Sequence, residues 1–178
     1  MLSKTLGAAV QGIDAITVTI EVSIEWGSGF TIVGLPDTAV KESGERTRCA
    51  IIEAGFDFPR KNVVINMSPA DIKKEGSAYD LPIAIGILAS DEKVSTQLLD
   101  RYMIMGELGL DGSLRPIKGA LPMAILARQL HLDGFILPRD NAMEAAIVNN
   151  LNVYGLDSLQ QVIAFLNGQA QLQPTAVD

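Results

Sequence analysis

Residues 15–26 read AITVTIEVSIEW, with Ile16, Val18, Ile20, Val22 and Ile24 on one side of an extended chain and Thr17, Thr19, Glu21, Ser23 and Glu25 on the other. Successive side chains of a strand point to opposite faces, so a period of two sustained over this length specifies a long, half-buried strand. Gly27-Ser28-Gly29 then offers a turn, and residues 30–33 (FTIV) read as the returning strand of a hairpin before Gly34-Leu35-Pro36 interrupts it.

Outward from this strand the pattern changes to helical. Asp37 is placed to cap a helix running to about Ala54, with Val40, Thr47, Ala50, Ile51 and Ala54 near one face, Lys41, Glu45 and Arg48 opposite, and Gly55 as its stop. Residues 62–67 (NVVINM) form a short β-branched strand, and residues 68–79 a polar loop. From Asp80, LPIAIGILAS reads as a buried helix, with Pro82 tolerated in its first turn. A strand at 102–106, a glycine-punctuated hairpin at 108–117 and a helix at 120–130 follow. The segments GFILP, DNAMEAAIV, LNVYG and SLQQVIAFL then alternate strand, helix, strand, helix. The expected fold class is α/β (α+β), a mixed β-sheet flanked by helices. Residues 1–167 are expected to be one domain, and residues 168–178 (GQAQLQPTAVD), polar and without period, the start of a linker.

Composition narrows the chemistry. With 178 residues and 48% hydrophobic side chains, the chain can bury one full core. No apolar run approaches the roughly 18 residues of a membrane span, and the first ten residues lack a signal-peptide pattern, so a cytoplasmic protein without membrane contact is expected. One cysteine, Cys49, and one histidine, His131, leave too few soft ligands for a zinc site; no metal site is expected, Cys49 reading as a small core residue and His131 as a surface residue at a helix end. A net charge of −7 argues against a general coat of nucleic acid. Half of the fourteen basic residues nevertheless cluster: Lys41, Arg46, Arg48, Arg60, Lys61, Lys73 and Lys74 are the candidates for contact with DNA. Glu42, Glu45, Glu53, Asp57 and Asp71 are interleaved with them, which is also the pattern of an ordinary solvated surface.

Two stretches are dense enough to carry function. Residues 68–82 (SPADIKKEGSAYDLP) are a charged loop feeding a buried helix, where Ser77 or Asp80 can also serve simply as a cap. Residues 106–119 (GELGLDGSLRPIKG) describe a hairpin that needs no chemistry. No G-x-x-x-x-G-K-[ST] phosphate loop and no dinucleotide fingerprint occurs.

The stretch GELGLDGSLRPIKGALPMAILAR resembles the Gly-Glu to Pro-x-x-Gly run of Lon protease domains, and KEGSAYDLPIAIGILAS is similar to the Lon segment that carries the nucleophilic serine. The resemblance implies a Lon-protease-domain-like fold. It places Asp80 at the position of the serine and Leu121 at that of the lysine; leucine cannot accept a proton, so a degenerate dyad and no peptidase activity are expected. The pieces VGLPDTAVKES, GFDFP and SPADIKKEGSAYDLPIA further resemble the opening of the ComM/YifB group of magnesium-chelatase-like AAA+ ATPases, over nearly all of residues 1–167. That resemblance implies a hexameric motor that uses ATP and magnesium through a module beyond this chain and drives DNA branch migration in natural transformation. Here the domain would assemble the ring or guide DNA. Two rivals stand beside it: a Ser/Lys peptidase with a shifted dyad, Ser77 with Lys118 or Lys74, and a pure protein-interaction scaffold.

Overall fold

A computed structural model describes residues 1–177. Its centre is a seven-stranded sheet of order β3-β4-β2-β1-β5-β8-β9. The strands are β1 (Leu2–Gln11), β2 (Asp14–Glu25), β3 (Gly29–Val33), β4 (Asn62–Ser68), β5 (Tyr102–Ile104), β8 (Gly134–Pro138) and β9 (Asn152–Leu156); β6 (Glu107–Leu108) and β7 (Leu114–Arg115) form a separate small hairpin. β2 runs antiparallel to both β1 and β4, and every other neighbouring pair in the sheet is parallel. The mixed α/β fold expected from the sequence is present.

The alternation of β2 is realised as anticipated. Val18, Ile20 and Val22 are fully buried while Thr17, Thr19, Glu21 and Ser23 remain partly open. The buried side receives α3 (Asp80–Ser90), all of whose residues are buried. A Cβ on Gly86 would lie 2.7 Å from Val22 Cγ2, so this helix packs at glycine distance. Ser3 Oγ donates to Gly86 O at 2.6 Å and Thr5 Oγ1 to Pro82 O at 3.0 Å, fixing β1 to the same helix. At the other end of the sheet helices lie on both faces. Gly155 of β9 meets Ala142 of α5 (Ala142–Ala146), whereas its neighbour Tyr154 stacks on Phe165 of α6 (Leu159–Leu166) at 4.9 Å between ring centroids. Accordingly every residue of β8 is buried.

Two local expectations need correction. The partner of β2 across a tight turn is β1, through Gly12-Ile13, and not β3. β4 inserts between β2 and β3, pairing antiparallel with one and parallel with the other, because its Val63, Ile65 and Met67 extend the same buried face. The helix expected over residues 37–54 is two helices, α1 (Thr38–Lys41) and α2 (Ser43–Glu53), interrupted at Glu42, whose carbonyl accepts from Glu45 N only three residues on. Asp37 caps the first as expected, its Oδ1 accepting from Val40 N at 2.8 Å. Cys49 is half-buried and not in the core. After α6, residues 169–177 have no regular structure, yet Leu172 packs on the core and Thr175 N donates to Val153 O at 2.8 Å. Asp178, the last residue of the expected linker, lies outside the described residues.

Candidate functional site

Asp80 opens α3 with its side chain only 1% exposed. Arg46, projecting from α2, donates from Nε at 2.7 Å and Nη2 at 3.1 Å, and Leu108 N donates at 3.1 Å. Burial pushes the Asp80 carboxyl up to about 6 against the pull of Arg46 and Leu108 N–H, which leaves it ionised at neutral pH. Arg46 is held in turn: its Nη2 also donates to Ala39 O at 2.8 Å, and the bond to Asp80 raises its own affinity for its proton. The carboxylate is thus consumed in joining α2, α3 and the β6–β7 hairpin. Leu121 lies half-buried on α4 (Ala120–Gln129).

Neither of those positions lines the cavity of about 550 Å³ that opens beside them. Its polar wall is Ser77, Tyr79, Glu107 and Lys118, and its apolar wall includes Ala8, Met105, Ile117 and Met123. Ser77 Oγ donates to the Glu107 carboxylate, so its proton is directed at an acid and not at an amine. Burial, aided by Asp37 and Glu75, pushes the Tyr79 phenol far above the usual tyrosine range. Lys74 points elsewhere. Fully buried, it donates from Nζ to Gly34 O at 2.8 Å and to Pro69 O, and burial lowers its pKa although Asp71 opposes this.

The seven basic candidates therefore separate. Arg46 and Lys74 are spent inside the fold. Arg48 is exposed but pairs with Glu45 at 2.9 Å, and Lys73 with Glu75 at 3.7 Å. Lys41, Arg60 and Lys61 are exposed and, among the described residues, have no carboxylate within 4.0 Å. Lys61 Nζ sits 4.9 Å from the centroid of Trp26, a ring 90% exposed. Sequence reasoning passed over Trp26, which continues the parity of the buried face; β2 ends one residue earlier, and the ring projects past the sheet. Among the described residues no group of three or more His, Cys, Asp or Glu is placed to hold a metal ion, and no helix is long and apolar enough to cross a membrane.

A profile of the family described as subunit ChlI of Mg-chelatase matches residues 20–141, a span that includes Trp26, Arg46, Lys61, Asp80 and the cavity wall from Ser77 to Lys118. The chain belongs to this ChlI family. It is 44% identical over 172 residues to the competence protein ComM of Haemophilus influenzae, covering 96% of this chain and 34% of that protein. It is 43% identical over 166 residues to YifB of Escherichia coli, covering 93% of this chain and 33% of that protein. A Lon protease of Brevibacillus choshinensis is 26% identical over 160 residues, covering 83% of this chain and 20% of the protease. This ChlI-family chain thus spans about a third of the length of its ComM and YifB relatives.

Proposed function

We propose that this chain is the non-catalytic N-terminal domain of a ComM/YifB-type AAA+ ATPase, contributing to ring assembly and guiding DNA in an ATP-driven branch-migration motor. The observation that carries the reading is the Arg46–Asp80 pair. Asp80, which the resemblance puts at the position of the Lon serine, is a carboxylate with its side chain only 1% exposed that accepts three hydrogen bonds from Arg46 and Leu108 N. Support for DNA contact comes from Lys41, Arg60 and Lys61, which are exposed and have no carboxylate within 4.0 Å among the described residues. ATP and magnesium belong to the longer protein: no phosphate loop occurs in this sequence, so no nucleotide step is assigned to these residues.

The test is binding of a labelled oligonucleotide across a salt series. Reversing Lys41, Arg60 and Lys61 to Glu is expected to abolish salt-sensitive binding, whereas reversing Arg48 and Lys73 changes it little. Equal loss from both sets, or no binding by the unaltered chain, would count against DNA guidance and favour a scaffold that touches only protein.

One observation favours a second reading. Ser77 and Lys118 line the same cavity, as a shifted Ser/Lys dyad requires. Casein hydrolysis that disappears in Ser77→Ala would establish it; absence of hydrolysis is the result expected from the Ser77–Glu107 bond.

A further inference from the structure

We propose that Trp26, with Lys61 and Arg60, is a stacking platform for a single-stranded polynucleotide. The inference rests on the DNA reading above and names the form of nucleic acid and the place it docks. Antiparallel pairing of Glu25 with Asn62 sets Trp26 beside Lys61, immediately before β4. The ammonium at 4.9 Å covers one face of the indole, and the 90% exposure leaves the other to solvent. Gly27 and Gly29 have φ of +115° and +134°, and a Cβ on Gly29 would meet Asn62 Oδ1 at 3.0 Å, so the backbone hugs β4 and the indole stands clear.

The charge around the ring selects the ligand. Arg60 and Lys61 supply two cations without a carboxylate partner among the described residues, but Glu25 and Asp57 are exposed on the same stretches of chain. A duplex is gripped mainly through many phosphates and keeps its base faces hidden. A surface with one open aromatic face and two cations suits an unpaired base, stacked on Trp26, with its flanking phosphates on Arg60 and Lys61. A large apolar partner surface would need further exposed apolar neighbours, which the charged residues around this ring do not provide.

Trp26 is the sole tryptophan of the chain, so its emission reports on this site alone. Titration with a thymidine 20-mer is expected to quench that emission in step with the anisotropy of the labelled strand, while the equivalent duplex leaves it unchanged. Trp26→Ala should weaken binding roughly tenfold and Trp26→Phe less, without altering thermal unfolding. Lys61→Ala should weaken binding and lower the salt slope by about 0.7, and Glu25→Gln should tighten it. Single-strand binding with unchanged emission and an unchanged Kd in Trp26→Ala would overturn the platform while leaving the DNA reading standing. Failure to bind either single strands or duplex would remove both. Self-association that requires Trp26 and excludes the oligonucleotide would overturn the proposal in favour of a protein contact.

Discussion

The Arg46 guanidinium holds the Asp80 carboxylate from two nitrogens, at 2.7 and 3.1 Å, across 34 residues of chain. Removing one partner of a buried ion pair leaves the other charged and uncompensated, which is costlier than the net value of the pair. Arg46→Met is therefore expected to destabilise the fold by about 3–5 kcal/mol. Adding Asp80→Asn, which keeps an acceptor for Leu108 N, should recover a large part of the loss. Urea unfolding of the single and double variants measures both; additive costs would show that the two residues do not act as a pair.

Asp80 also gives stability a pH dependence. The folded chain takes up this proton near pH 6 and the unfolded chain near 3.8, so between those values the native state binds more protons. The contribution of this group is complete below about 3.8 and is lost as pH rises through 6. The difference in unfolding free energy between the unaltered chain and Asp80→Asn should fall by on the order of 2 kcal/mol from pH 4 to pH 7. A difference that stays flat, or rises, contradicts the assignment.

Lys74 distinguishes a structural cation from a binding one. Its ammonium supplies donors to Gly34 O and Pro69 O, and Lys74→Met leaves both carbonyls short of a partner. The expected cost is about 2–3 kcal/mol of stability with no change in the oligonucleotide affinity of the folded protein. Weaker binding at unchanged stability would return Lys74 to the nucleic-acid surface.

Gly34 and Gly55 both have positive φ, +108° and +95°, yet they should respond differently to alanine. A Cβ at Gly34 would fall 2.1 Å from Met67 O, a backbone atom with no room to yield, while nothing lies within 4 Å of one at Gly55. Gly55→Ala is expected to cost about 1–2 kcal/mol, from backbone strain alone. Gly34→Ala should cost clearly more and separate the start of the Asp37 helix from β4. Equal melting temperatures for the two variants would refute the distinction.

Much of this fold is legible because its apolar pattern is local. β2 shows its buried side plainly, since Ile and Val alternate with Thr, Ser and Glu. β1 hides the same information: Ser3 and Thr5 are polar but buried, bonded to carbonyls of α3, and Gly7, Ala8 and Ala9 are small and buried irrespective of parity. The choice of strand partner was illegible for a different reason, as β4 reaches its place from about thirty residues beyond β3. At the candidate site, Arg46 and Arg48 differ by two helix positions and so face different ways, but only the arrival of Asp80 decides which one is committed. Lys74 sits in a polar loop whose carbonyls converge only after folding. The exposure of Trp26 depends on where β2 ends, a boundary that alternation does not mark.

The segment after α6 touches one margin of the sheet, where Thr175 N donates to Val153 O, whereas β3 at the opposite margin has exposed residues and, among the described residues, no outer strand. The β3 margin is therefore open to strand addition, and two copies joined β3 to β3 would satisfy each other and stop. The ring proposed above cannot be built by that route. Its subunits would have to meet through two unlike patches outside the sheet margins, so a subunit contact and a strand-pairing contact are separable, and a dimer formed through β3 would compete with the ring and not initiate it.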